Sequence, residues 1–157
     1  ENEKKEMKDV VSKWWAYWNN HTDEMRVVDW EENWIGKENL DLDIPYVFVV
    51  GNYNSNAGNK EMIDAYMEWS VKPGVNNGVM LYGGATTHFI GSGSDVQIWS
   101  AYTNIAGFAE ANGPNSQRNS DAAPKFWSLV EGAHSDQIYI HAGHTIDNKF
   151  NLAGKDK

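Results

Sequence analysis

Residues Gly78–Gly107, GVMLYGGATTHFIGSGSDVQIWSAYTNIAG, carry the reading that decides the fold. From Val79 the apolar and polar side chains alternate with a period of two, the spacing of a strand. Met80, Tyr82, Gly84, Thr86, His88 and Ile90 share one face, and Leu81, Ala85, Thr87 and Phe89 share the other. After a Gly/Ser/Asp turn, Val96, Ile98, Ser100, Tyr102 and Asn104 form one face of a second strand, with Gln97, Trp99, Ala101 and Thr103 on its reverse. The pattern predicts two long antiparallel strands joined by a tight turn. Gly83-Gly84 predicts a bend that curves the sheet.

Upstream the period changes. Val10, Val11, Trp14, Trp15 and Trp18 fall on one face of a helix over Glu6–Asn19. Thr22 is placed to cap a second helix running to Ile35, with Asp23 and Glu24 in its first turn and Gly36 at its end. Tyr46–Val50 is a short continuous apolar run and reads as a strand. Met62, Ile63, Tyr66, Met67 and Val71 give a third helical stripe, which Pro73-Gly74 is expected to stop. Downstream, residues 110–122 are turn-formers and read as a long surface loop. Asp121–Gly132 fits either a short helix or a strand, and a last long strand is expected over Gln137–Leu152. Helices first and long strands after predict an α+β fold. A curved antiparallel sheet wraps on N-terminal helices, cone-shaped, with an internal pocket. At 157 residues the chain is read as one domain, 1–157.

Composition narrows the partners. A formal charge of −9 leaves no basic footprint for nucleic acid or anionic lipid. No stretch approaches the roughly 20 apolar residues of a membrane span. Cysteine is absent, which removes disulfides, thiol catalysis and Cys-based zinc sites. Arg26 and Arg118 are the only arginines, so a bidentate phosphate or carboxylate clamp is not expected. Eight Trp, seven Tyr and five Phe supply either core bulk or the walls of a pocket for a flat apolar ligand.

The order helix, helix, strand, helix and long antiparallel strands resembles the cone fold of the nuclear transport factor 2-like superfamily, in its polyketide-cyclase-like (SnoaL-like) branch. The resemblance is carried by VVSKWWAYWNN at 10–20, TTHFIGSGSDVQIWSAYTN at 86–104 and AGHTIDNKFNLAGKDK at 142–157. It departs from the family in a longer loop over Phe108–Pro124 and a short closing strand. The resemblance implies a conical cavity in which active members do isomerase, dehydratase, cyclase or epoxide-hydrolase chemistry, while others only bind or hold subunits together.

Acid–base work in an apolar pocket needs a titratable group and donors for a developing oxyanion. His88, mid-strand beside Tyr82 and Thr86, is the candidate base or acid. Asp147 would orient it or act itself, and Tyr102 and Asn104 would polarise an oxygen. Trp14, Trp18 and Trp34, with Tyr82 and His141, would line the ligand site. Each has a plain structural alternative: a satisfied histidine, cross-strand pairing, or core bulk. Asp29 is weighed as an acid facing the interior, against a solvated helix face. The spacing of His134, His141 and His144 does not suit a metal on a strand, and no cofactor or metal is expected. The resulting expectation is a small-molecule pocket protein, an acid–base enzyme acting on an apolar carbonyl-bearing or cyclic compound. The alternative is a non-catalytic binding module or an oligomerisation scaffold of the same fold. The expected partners are a small apolar molecule and a second copy in a homodimer.

Overall fold

In the computed structural model, the described residues are 5, 8–13, 24–29, 31–114, 116 and 118–155. The alternating stretch forms strands β4 (Tyr82–Gly91) and β5 (Val96–Tyr102), paired antiparallel from Tyr82↔Ala101 to Thr87↔Val96. Strand β3 (Val47–Ser55) pairs with the other side of β5, and β6 (Val130–Ile140) pairs with the far side of β3. Two short strands, β1 (Glu24–Val27) and β2 (Trp34–Ile35), follow one another along the outer edge of β4. The sheet is open and antiparallel, in the order β1-β4-β5-β3-β6. A separate hairpin, β7 (Gly143–Ile146) and β8 (Lys149–Leu152), follows β6.

Helices join these strands. A helical stretch after β3 consists of α1 (Asn59–Tyr66), a π-helical turn (Met67–Val71) and α2 (Lys72–Asn76). Between β5 and β6 lie α3 (Ile105–Asn112) and α4 (Ala123–Leu129). From β3 to β6 the chain therefore runs strand, helix, strand, strand, helix, strand. That is the split β-α-β order of ferredoxin-like folds.

The core sits on one face of this sheet. Register fixes which face: Tyr102 lies opposite Val47 and Ser100 opposite both Val49 and Gly83. Val96, Ile98 and Tyr102 pack against Met62, Ile63, Tyr66 and Trp69 of the first helical stretch and against Phe126 and Leu129 of α4. Burying about ten such side chains is the dominant stabilising term for a chain this size.

Several expectations need correction. The helix expected over Thr22–Ile35 is, in its described part, two edge strands. Met25, Val27 and Val28 suit a strand as well as a helix, and Met25 and Val27 stay more than half exposed. Asp29 decides the local contest. Its Oδ1 accepts the N–H groups of Glu31 and Glu32, both at 3.0 Å, and its carbonyl accepts from Asn33 at 2.9 Å. Such a side-chain turn competes directly with helix. The same two N–H bonds, with Glu32 the larger, hold the exposed Asp29 carboxyl below its usual range. The sheet is open rather than a cone, and among the described residues the helices that supply its core lie between Asn59 and Leu129. Residues 8–13 are helical, while Trp14 and Trp18 lie outside the described residues. The strand expected over Gln137–Leu152 is broken into the end of β6 and the β7–β8 hairpin. The ambiguous Asp121–Gly132 segment is both: helix α4, then the start of β6.

Pro73 does not stop the third helix. Proline has no N–H for the carbonyl four residues back and crowds it. Here the preceding turn widens to π geometry, with the Lys72 N–H donating to the Met67 carbonyl, and the helix continues to Asn76. The carbonyl that Pro73 cannot serve belongs to Trp69. It accepts the N–H of Asn119 at 2.8 Å, across from another part of the chain.

Candidate functional site: a sheet–helix cavity

A cavity of about 180 Å³ lies between the core face of the sheet and the helices. Its floor is built by strand alternation. Ser100 and Tyr102 of β5 point into it with 3% and 0% of their surface exposed, beside Ile98. Tyr66 of α1 closes the floor from the helical side, with the Ser70 and Ser100 hydroxyls beside its own. The buried Tyr102 hydroxyl has no hydrogen-bond partner. A buried polar group left unpaired costs about 1–3 kcal/mol.

The walls hold the charged groups. Gly51 of β3 is narrow enough to admit its neighbours: a side chain there would come within 2.9 Å of both the Tyr53 hydroxyl and Asp136 Oδ1. Asp136 also lies 3.3 Å from His134 Nε2, and the His134 ring stacks on Tyr53 at 5.0 Å. His134, Asp136 and Ile138 belong to β6 and mark the open side of the cavity. Arg118 also lines the cavity, from the loop that Asn119 ties to the Trp69 carbonyl. Its guanidinium lies over the Trp69 ring, 4.9 Å from the centroid, and its Nε is buried without a partner. Among the described residues no carboxylate lies within ion-pair distance of it.

Burial is the main reason the Tyr53 and Tyr66 phenols resist ionisation, their pKa values being raised well above the ordinary one. The Arg118 charge acts in the opposite direction on both.

Of the residues proposed from sequence, Tyr102 lines this cavity. His88 does not. Tyr82 is opposite Ala101, and Ala101 opposite Phe48, so these share the face away from the helices. His88 follows Tyr82 at even spacing onto that same face. The sheet stands between His88 and Tyr102, and the two cannot serve one substrate atom. His88 Nε2 instead lies 3.1 Å from the Gly91 carbonyl, a contact within its own turn. Asn104 caps α3, its Oδ1 accepting the Gly107 N–H at 2.9 Å. Asp147 forms the β7–β8 turn with Asn148, at φ 51 and 60. Paired positive φ values mark the two-residue hairpin turn for which Asp and Asn are suited.

Trp34 and Tyr82 belong to an aromatic cluster on the outer face, with Trp99, Tyr46 and Phe48. Burial there, then the neighbouring Tyr46, raises the Tyr82 phenol too. His141 stacks on Tyr46 at 4.5 Å, and its Nε2 lies 2.9 Å from the Leu42 carbonyl. Sequence reasoning missed Arg118, His134 and Asp136. Arg118 sits in a loop with no periodicity, and nothing local shows that a distant carbonyl pins it. His134 and Asp136 do share an alternating face, which a strand reading begun at Val130 would have exposed.

Among the described residues, no group of His, Asp and Glu is arranged to hold a metal ion, and no helix is long and apolar enough to cross a membrane. No family model matches the chain, and no curated protein matches it in sequence. A solved structure that it resembles is a dimeric protein of unknown function and ferredoxin-like fold from Bacteroides fragilis NCTC 9343. The two are 11% identical, with 60% of this chain and 94% of that chain covered at a TM-score of 0.44. The nuclear transport factor 2-like resemblance is thereby corrected: no family model matches the chain, and the strand order is that of a split β-α-β fold. The isomerase and lyase activities implied by that resemblance lapse with it.

Proposed function

We propose that this chain is a non-catalytic small-molecule-binding protein whose ligand occupies the sheet–helix cavity. The observation that carries the reading is the Tyr102 hydroxyl, fully buried, unpaired and on the cavity floor. A ligand oxygen or nitrogen would supply its missing partner. The volume of about 180 Å³ is below the roughly 300 Å³ of drug-sized pockets, so the ligand is small. An acid–base enzyme is the poorer account. His134 and Asp136 do meet at the cavity, but 34% and 50% of their side chains are exposed, so water reaches both.

The test is a thermal-shift screen of small metabolites on the wild-type protein and on Tyr102→Phe. Compounds that raise the wild-type Tm should lose most of that effect in the variant. Hits that protect both proteins equally would place the ligand elsewhere and overturn the reading.

The homodimer has support of its own in β6. This 11-residue strand runs along the sheet edge with Ile138, Tyr139 and Ile140 about half or more exposed. Long apolar edges pair readily with another strand. Sedimentation at increasing concentration should show a dimer that Ile140→Lys weakens. A monomer throughout removes this proposal.

A further inference from the structure

We infer that the cavity's ligand is a small carboxylate with a flat apolar body, its charge held by Arg118 and an oxygen reached by the Tyr102 hydroxyl. This rests on the cavity being the binding site. It reverses the sequence expectation that two arginines are too few for a clamp, because one arginine suffices when it is aimed.

Four observations converge. The Arg118 guanidinium lines the cavity and has no ion pair among the described residues. Its Nε is shielded from water with nothing to donate to. A shielded donor is ordinarily paired, and an anion at this site would supply the partner. The planar fork matches a carboxylate, and its central carbon lies over the Trp69 ring, 4.9 Å from the centroid. The backbone at the residue is held as well: the Arg118 N–H donates to Ser116 Oγ at 3.2 Å, and the Asn119 N–H to the Trp69 carbonyl at 2.8 Å.

The rest of the lining selects the body. Trp69, Trp127, Phe108 and Tyr53 line the cavity, and an aromatic lining favours a flat apolar group. One cation neutralises one charge, and a chain of net charge −9 opposes a dianion. A monoanionic carboxylate therefore fits better than a phosphate ester. Asp136, which also lines the cavity beside His134, disfavours a second anionic group.

The experiment is calorimetric titration of the full chain with benzoate and with benzamide, which share a shape and differ in charge. Benzoate should bind roughly tenfold or more tightly than benzamide, the scale of a charge-assisted pair in a sheltered site. Arg118→Gln should abolish that preference, with Arg118→Lys restoring part of it. Lys149→Gln, on the distant β8 strand, should leave it intact. Equal binding of the two probes, or a benzoate preference that survives Arg118→Gln, overturns the carboxylate inference while the cavity reading stands. Binding of neither probe to a folded wild-type protein overturns this inference, and the cavity reading is then judged by its own metabolite screen.

Discussion

At the scale of the residue, Tyr102 has opposite effects on folding and on binding. Its ring fills the core beside Phe108, while its hydroxyl stays dry and unpaired. Replacing it by Phe keeps the ring and removes the desolvated oxygen. Tyr102→Phe should therefore stabilise the empty protein by about 1 kcal/mol, read from urea unfolding midpoints. The same variant should weaken the ligand. A destabilised variant would mean that the hydroxyl is satisfied in solution and is not waiting for a ligand. This residue was legible: alternation alone put it on a face with Ile98 and Ser100. His88 was equally legible as a position, but its side was not. Two faces of a strand look alike in sequence until it is known which one the helices cover, and both faces here mix apolar with polar groups.

At the scale of the element, the helical stretch from Asn59 to Asn76 shapes the cavity through a defect. Pro73 widens the preceding turn and leaves the Trp69 carbonyl to the Asn119 N–H, which brings Arg118 over the indole. Pro73→Ala supplies an N–H that competes for that carbonyl. Amide exchange at Asn119 should accelerate several-fold relative to wild type, while exchange in β5 stays slow. Unchanged protection at Asn119 would show that the loop is held by other means. Sequence periodicity could find the stripe Met62, Ile63, Tyr66, Met67 but not its continuation, because proline reads as an end. It also misread Glu24–Val27. There Asp29 captures two N–H groups and the strand gains a partner in β4 some 60 residues later in the chain, which no local window contains.

At the scale of the whole molecule, the buried phenols shape the response to pH. Tyr53, Tyr66 and Tyr82 all have pKa values raised above 10.0, chiefly by burial. In the unfolded chain they ionise near their ordinary value, so above it the unfolded state binds fewer protons than the folded one. Their contribution is fully present below pH ~10 and is lost as pH rises beyond it. Stability should fall steeply above pH ~10, and replacing Tyr53 by Phe should make that fall shallower. Thermal midpoints measured between pH 8 and 11.5 check both. The α+β class and the central hairpin were legible here because alternation is strong and its turn is short. The sheet order was not, since it depends on β3, which precedes both in the chain, inserting between β5 and β6.

The unpaired Tyr102 hydroxyl also has an evolutionary consequence. Tyrosine and phenylalanine codons differ by a single base, so drift reaches Tyr102→Phe easily. A population selected only for heat tolerance should fix it. Lineages that keep the tyrosine would be those in which occupancy of the cavity is under selection, and the identity of this one side chain would then report which descendants still use their ligand.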